Sequence, residues 1–284
     1  MNWLILTIAS AVLLSISRVM QRVMLKRDES DSYAFSFIFP VLVSLVIFLY
    51  AIVTGSMELP NLRPVFFNVV LMIVLYSVGS VCVYEAYKRS LASEVSIIFA
   101  SSSVWSVMSA VIFLKESLLT KNIIGIISMV IGIIVINYQK SSWKIESGHI
   151  YAIVGALFFG VAFTNDAIIL RQYHAVPPYV FIAFVLPALA ILLYRPSLVS
   201  KLPYFFSARV IGKMLLTASL YALSAIALYT AYRFGGQASV ITPLQQLSVV
   251  LTVILSYIFL GERSKLWQKT VGVSLAVLGA LLLI

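Results

Sequence analysis

Runs of about twenty consecutive apolar residues recur along the whole of this 284-residue chain. About 20 residues at 1.5 Å rise cross a hydrocarbon core of about 30 Å, so each run reads as a membrane-spanning helix. Ten spans are expected, at 2–25, 33–54, 65–87, 95–114, 122–138, 149–170, 178–194, 210–232, 238–260 and 266–284. Composition agrees, because 62% of the residues are apolar, only 11% are charged and the mean hydropathy is +1.05, outside the range of a soluble domain. The longest connections, 55–64, 139–148 and 195–209, are too short to build a core of their own. A β-barrel would alternate apolar and polar residues, which continuous apolar runs do not. The predicted fold class is an all-α integral membrane protein, with backbone hydrogen bonds closed inside each helix.

Charge orients the chain. Of the 20 Lys and Arg residues, five (Arg63, Lys115, Lys121, Arg171, Arg233) fall on the side of the two termini, and the rest fall at the loops after odd-numbered spans. The positive-inside rule places that richer side in the cytoplasm and both termini outside. The net charge of +10 is thereby accounted for by anionic lipid headgroups, and nucleic acid is not an expected partner. The first span carries its basic residues late and lacks a small-residue cleavage site, so it reads as a retained helix. A single cysteine, Cys82, excludes an intramolecular disulfide and any multi-cysteine metal site.

The sequence also repeats. An offset of 145 aligns Tyr76 with Tyr221, Tyr84 with Tyr229, Tyr87 with Tyr232, Val95 with Val240 and Ser103 with Ser248, and Ile5, Ile8 and Ala11 with Ile150, Ile153 and Ala156. Farther on the offset grows slightly, so that Leu114-Lys115-Glu116 meets Leu260-Gly261-Glu262, and Gly125 and Gly132 meet Gly272 and Gly279. Glycines two turns apart make a flat stripe that another helix can approach closely. The expected domains are a first repeat, 1–140, and a second, 148–284. Five spans per copy is odd, so the copies enter the membrane in opposite senses, which predicts two inverted five-helix repeats with a solute site between them near the midplane.

These features together resemble the drug/metabolite transporter superfamily, in its EamA-type ten-helix permeases. The resemblance rests on the ten-span pattern, the Leu114-Lys115-Glu116 and Leu260-Gly261-Glu262-Arg263 elements, the glycine helices that follow them, and Pro243. It implies a secondary carrier, often an exporter of amino acids or other metabolites, with a cavity lined by spans 1, 3, 4, 6, 8 and 9. Small multidrug relatives carry a glutamate in span 1, where this chain has Arg18 and Arg22. Ile98 stands where the second copy has Pro243, so the kink that proline brings is expected in one copy only.

Ionisable groups at membrane depth face a cavity or a partner. Arg18 and Arg22 share one face of span 1, with Glu85 and Lys88 of span 3 and Glu94 of span 4 at the same level; structural ion pairs and a gate or substrate contact are both open readings. Asn165 and Asp166 lie toward the other side, where Asp166 either pairs with Arg171 or Arg233 or takes a proton or a substrate amine. Thr242, Pro243, Gln245 and Gln246 of span 9, and Ser102, Ser103 and Trp105 of span 4, are candidate substrate contacts, the alternative being hydrogen bonds between helices. Tyr84 and Tyr229 are cavity candidates, whereas Tyr87 and Tyr232 read as an interfacial belt.

The expected function is alternating-access export of small amphipathic solutes such as amino acids, by a functional monomer in the lipid bilayer, with no cofactor and no catalytic residue, and with protons at Glu85, Glu94 or Asp166 as the candidate coupling ion. A membrane scaffold, a lipid flippase subunit and a membrane-embedded enzyme are the rivals. The enzyme is disfavoured because His149 and His174 lie near loops and no metalloprotease or nucleophile-elbow motif occurs. Orientation is checked with reporter fusions: alkaline phosphatase at either terminus is expected to be active, and phosphatase activity confined to fusions in the loops after odd spans would reverse the assignment.

Overall fold

A computed structural model of the chain describes all residues except 1, 26–30, 59–60, 91–94, 96–97, 100, 138–146, 173–175, 261–265 and 284. Glu94 and the side chain of Arg22 lie outside the described residues. The helices are α1 (Asn2–Leu25), α2 (Ser32–Val53), α3 (Phe66–Arg89), α4 (Ser102–Leu114), α5 (Thr120–Asn137), α6 (Ser147–Gln172), α7 (Val176–Tyr194), α8 (Ile211–Arg233), α9 (Ala238–Gln245), α10 (Leu247–Leu260) and α11 (Leu266–Leu283). Among the described residues, six helical segments, Asn2–Gln21, Ser32–Val53, Arg63–Arg89, Ser147–Gln172, Val176–Tyr194 and Ile211–Arg233, are long and apolar enough to cross a membrane. Four shorter apolar stretches, Ser102–Leu114, Thr120–Gly132, Ala238–Thr252 and Thr270–Gly279, accompany them. The 195–209 connection holds a 3-10 helix, Pro196–Tyr204, whose Leu198 and the following Phe205 are buried; Phe205 packs edge-on against Phe35 of α2.

The bundle is inverted in polarity relative to a water-soluble protein. Val53 and Phe67 are 85% exposed, whereas Ser10, Ser17, Ser102, Ser106, Thr217, Asp166 and Ser248 are buried. Lipid solvates the apolar exterior, and interior hydroxyls find protein acceptors, as when Thr7 and Ser36 donate to carbonyls one turn back.

Helix ends follow local rules. Asp31 accepts a hydrogen bond from the Ala34 amide and starts α2. Gly55 and Gly235, with φ of 62° and 84°, follow α2 and α8. Lys115 takes the same left-handed conformation after α4, at φ 52°, where the second copy carries Gly261.

The halves contact each other in a pattern that survives their exchange. The α3–α6 contact is matched by α8–α1, the α4–α6 contact by α1 with α9 and α10, and α2–α8 by α7–α3, while α2–α7 and α5–α11 map onto themselves. Such self-complementary pairing is that of a twofold-related pair. Close approach depends on small residues: a Cβ on Gly279 would lie 2.5 Å from the Gly125 carbonyl oxygen, and one on Gly160 would lie 2.5 Å from that of Ser102.

The kink expected in one copy has a counterpart in the other. In the second half, α9 ends at Gln245 and α10 begins at Leu247. The Gln246 amide donates to the Pro243 carbonyl at 3.0 Å and the Val249 amide to that of Gln246 at 2.9 Å, a local 3-10 tightening. At the positions 145 residues earlier, the Ser101 amide donates to Ile98 at 3.0 Å and the Val104 amide to Ser101 at 2.9 Å. A matched turn therefore forms without proline.

Two substitutions test these accounts, with thermal unfolding in detergent followed by labelling of the buried Cys82 thiol. Lys115→Gly removes a left-handed non-glycine residue and is expected to stabilise by about 1 kcal/mol. Gly160→Leu is expected to destabilise by about 2 kcal/mol or more, because its Cβ meets backbone that cannot swing away. An unchanged midpoint in either variant would contradict the corresponding account.

Candidate functional site

A cavity of about 120 Å³ lies where the halves meet, well above the roughly 15 Å³ that one water needs. Helical periodicity explains which side chains reach it. From α3 come Tyr76, Ser80, Val83, Tyr84 and Tyr87, and from α8 Tyr221, Ser224, Ala225, Leu228 and Tyr229, each set three or four residues apart on one face. Tyr76, Ser80, Val83 and Tyr84 are the 145-offset partners of Tyr221, Ala225, Leu228 and Tyr229. The cavity is thus lined by matched positions of both copies. Leu14, Arg18 and Gln21 of α1 line it opposite Phe159 and Phe163 of α6, and Phe39 and Pro40 of α2 opposite Phe184 and Pro187 of α7. Gln245 and Phe99 complete the wall. Its apolar part is aromatic and ordered by edge contacts: Phe39 and Phe184 both meet Tyr221, and Phe159 meets Tyr76 and Phe99.

A buried carboxyl group ties helices together beside the cavity. Asp166 has no solvent exposure and accepts hydrogen bonds from Tyr76, from Tyr179 at 2.5 Å and from Tyr229 at 2.8 Å. The Tyr76 and Tyr229 hydroxyl oxygens are 3.2 Å apart. These hydrogen bonds join α6 to α3, α7 and α8. The 145-offset partners of Asp166, Tyr76 and Tyr229 are Gln21, Tyr221 and Tyr84. These line the cavity but no hydrogen bond joins them; Gln21 donates to Ser17, one turn back.

The family-level sequence model of the EamA-like transporters matches residues 1–138 and again residues 146–284. The chain belongs to the EamA-like transporter family. It is therefore a multi-pass membrane transporter of the drug/metabolite transporter type, acting on small-molecule substrates within the bilayer. A solved structure, described as "Crystal structure of protein", superposes with a TM-score of 0.71 at 16% identity, covering 96% of this chain and 97% of that one. At that identity the likeness shows the shared fold alone. No curated protein matches the sequence.

Around its cavity this EamA-like transporter arranges the expected residues in two layers. Arg18, Tyr84, Tyr229 and Gln245 line the space. Behind them, Gln245 donates to Ser10, which bonds Ser224, and Gln246 donates to Ser102, leaving its own Oε1 buried without a partner. Pro243 is buried in α9. Trp105 packs against Gly160.

Other residues sit away from the cavity. Asn165 exchanges two hydrogen bonds with Asn68, at 2.7 and 2.9 Å. Glu85 accepts from Ser32 at 2.6 Å and from Arg89 at 2.8 Å; it does not pair with Arg18, whose guanidinium donates to Ser248 at 3.0 Å. Asp166 does not pair with Arg171, because Glu116 takes that arginine at 2.6 Å. The belt reading of Tyr87 and Tyr232 also fails: Tyr87 lines the cavity, and Tyr232 is buried, with its hydroxyl 3.3 Å from Thr242.

Residues missed in the sequence are Tyr76, Tyr221, Gln21, Tyr179 and Glu116. The first three were visible in the offset, which pairs Tyr76 with Tyr221 and Gln21 with Asp166. Glu116 closes the start of α9, accepting from the Ala238 and Ser239 amides at 3.3 and 3.1 Å and from the Ser239 hydroxyl at 2.7 Å. Two orphan amides and the helix dipole find a carboxylate there. Glu116→Ala strands those donors and is expected to destabilise by about 2 kcal/mol or more, read as a lower unfolding midpoint; a shift no larger than that of an exposed lysine substitution would contradict the capping role.

Proposed function

We propose that this chain is a secondary transporter that exports small amphipathic metabolites, amino acids and their relatives, by alternating access. In this reading the chain crosses the bilayer ten times, the halves 1–140 and 148–284 are inverted relative to each other, both termini are outside, and one copy suffices for a complete pathway. The observation that carries the proposal is the pair of offset-related clusters beside one cavity, one hydrogen-bonded together and the other not. Asp166 with Tyr76 and Tyr229 is bonded shut, and Gln21 with Tyr221 and Tyr84 lines open space. Two related halves that exchange conformations would exchange these states. Closing the second cluster and releasing the first would turn the cavity from the cytoplasmic side to the outside. The matched 3-10 turns at Ser101 and Gln246 are the proposed hinges. A scaffold has no use for such a chamber.

Protons are the proposed coupling ion, with Asp166 as the carrier. Among the described buried carboxylates, Glu85 and Glu116 each hold an arginine, while Asp166 holds only phenols. A carboxylate without a counter-cation is neutralised by protonation at least structural cost once its donors leave.

Flux in proteoliposomes against a metabolite panel is the test. Saturable, pH-gradient-driven flux is expected for at least one amphipathic solute. Asp166→Asn is expected to bring gradient-driven flux down to its gradient-independent level, since an amide at that position takes up no proton. No saturable flux for any class would remove the transport reading, and flux of Asp166→Asn equal to wild type would remove the proton carrier.

A further inference from the structure

Seven offset pairs line the cavity from both halves, from Leu14 with Phe159 to Tyr84 with Tyr229, and among them only Arg18 with Phe163 differs in charge. Leu14, Arg18 and Gln21 of α1 occupy the places that Phe159, Phe163 and Asp166 hold in α6. Asp166 is enclosed by its three phenols and does not line the space. Glu85, the nearest buried acid in sequence on α3, is turned to Ser32 and Arg89. Among the described residues, the cavity wall therefore contains one charged side chain, Arg18, and no carboxylate.

Arg18 is not spent on the scaffold. Of its five N–H donors, one hydrogen bond is formed, to Ser248. Its guanidinium carbon stands 6.0 Å from the Phe99 ring centre, at the outer limit of a cation–π contact. No acid among the described residues forms a salt bridge with it. A planar guanidinium with free donors is the side chain best suited to take a carboxylate in two parallel hydrogen bonds. Gln21 and Gln245 on the same wall add amide donors. The remaining wall is rings: Phe39, Phe99, Phe159, Tyr84 and Tyr221 among them.

We infer that the cavity is a site for organic anions: Arg18 receives the carboxylate of a small monocarboxylate, and the aromatic wall receives its planar apolar body. An ammonium group is not needed and finds no acid in the cavity wall. This rests on the transport reading of the same cavity and narrows its substrate class to solutes with net negative charge, setting aside the zwitterionic amino acids named there. Ser248 is a positioning residue, holding the guanidinium over the cavity.

Binding to the purified full chain in detergent, read by isothermal titration calorimetry, separates the charge classes with four probes of one shape: phenylacetate, phenylacetamide, phenylalanine and phenethylamine. Phenylacetate is expected to bind at least about tenfold more tightly than the other three. Arg18→Gln is expected to erase that preference, and Arg18→Lys to keep part of it, as a point charge without the fork. Ser248→Ala is expected to weaken the anion by a smaller factor. If Arg18→Gln does not fold, the wild-type ranking and the Arg18→Lys variant decide. Equal or tighter binding of the amide, the zwitterion or the cation overturns the inference, as does an unchanged anion affinity in folded Arg18→Gln, or no binding of any probe. Saturable flux of a neutral or cationic solute, unaffected by Arg18→Gln, would overturn the anion site and leave alternating access standing.

Discussion

A carboxylate with no access to solvent persists inside an apolar bundle only where donors surround it, and at Asp166 three phenols do so from three different helices. That one interaction fixes how α3, α6, α7 and α8 meet. It also borders the central cavity, because Tyr76 and Tyr229 are both donors to the acid and part of the cavity wall. The helices themselves owe little to it: their length and apolar faces come from the bilayer constraint. What the cluster supplies is a specific register among helices that lipid alone would leave free to slide.

The two copies of the repeat share a scaffold and differ where function is expected. Tyrosines recur at matched positions on α3 and α8, and tight turns recur at Ser101 and Gln246. At the α1–α8 crossing Ser10 bonds Ser224, while at the matched α6–α3 crossing Gly155 approaches the Gly79 carbonyl. Small residues and paired hydroxyls are two ways to bring helices together in lipid. Arg18 against Phe163, and Gln21 against Asp166, are where the copies part company in charge. The copies thus repeat a scaffold, and where they differ they leave a cavity wall whose charged side chain, among the described residues, is Arg18.

Much of this was legible in the sequence because the membrane imposes simple rules. The apolar runs located the helices, the constant offset revealed the repeat, and Tyr84, Tyr229, Arg18 and Gln245, which line the cavity, stood among the candidates with other readings open. The rest depended on partners that spacing does not specify. Asp166 was matched to arginines because opposite charges attract, yet Glu116 is nearer to Arg171 and phenols meet the acid instead. Tyr87 and Tyr232 sit at span ends, where a belt is the common reason for tyrosine, but the inward tilt of their faces buries or lines rather than exposes them. The turn at Ser101 had no proline to announce it.

The central claim is that the two ends of one cavity close in alternation, and paired distances test it most directly. In a cysteine-free background, spin labels at Asn61 and Gln237, and separately at Lys88 and Arg209, sit on exposed positions at the two ends. Pulsed electron resonance in liposomes, with and without substrate or an imposed pH gradient, reports both pairs. The account requires that one distance lengthen as the other shortens, and that Asp166→Ala move the populations toward the released state. Two distances that stay fixed under every condition, or that lengthen and shorten together, would contradict it.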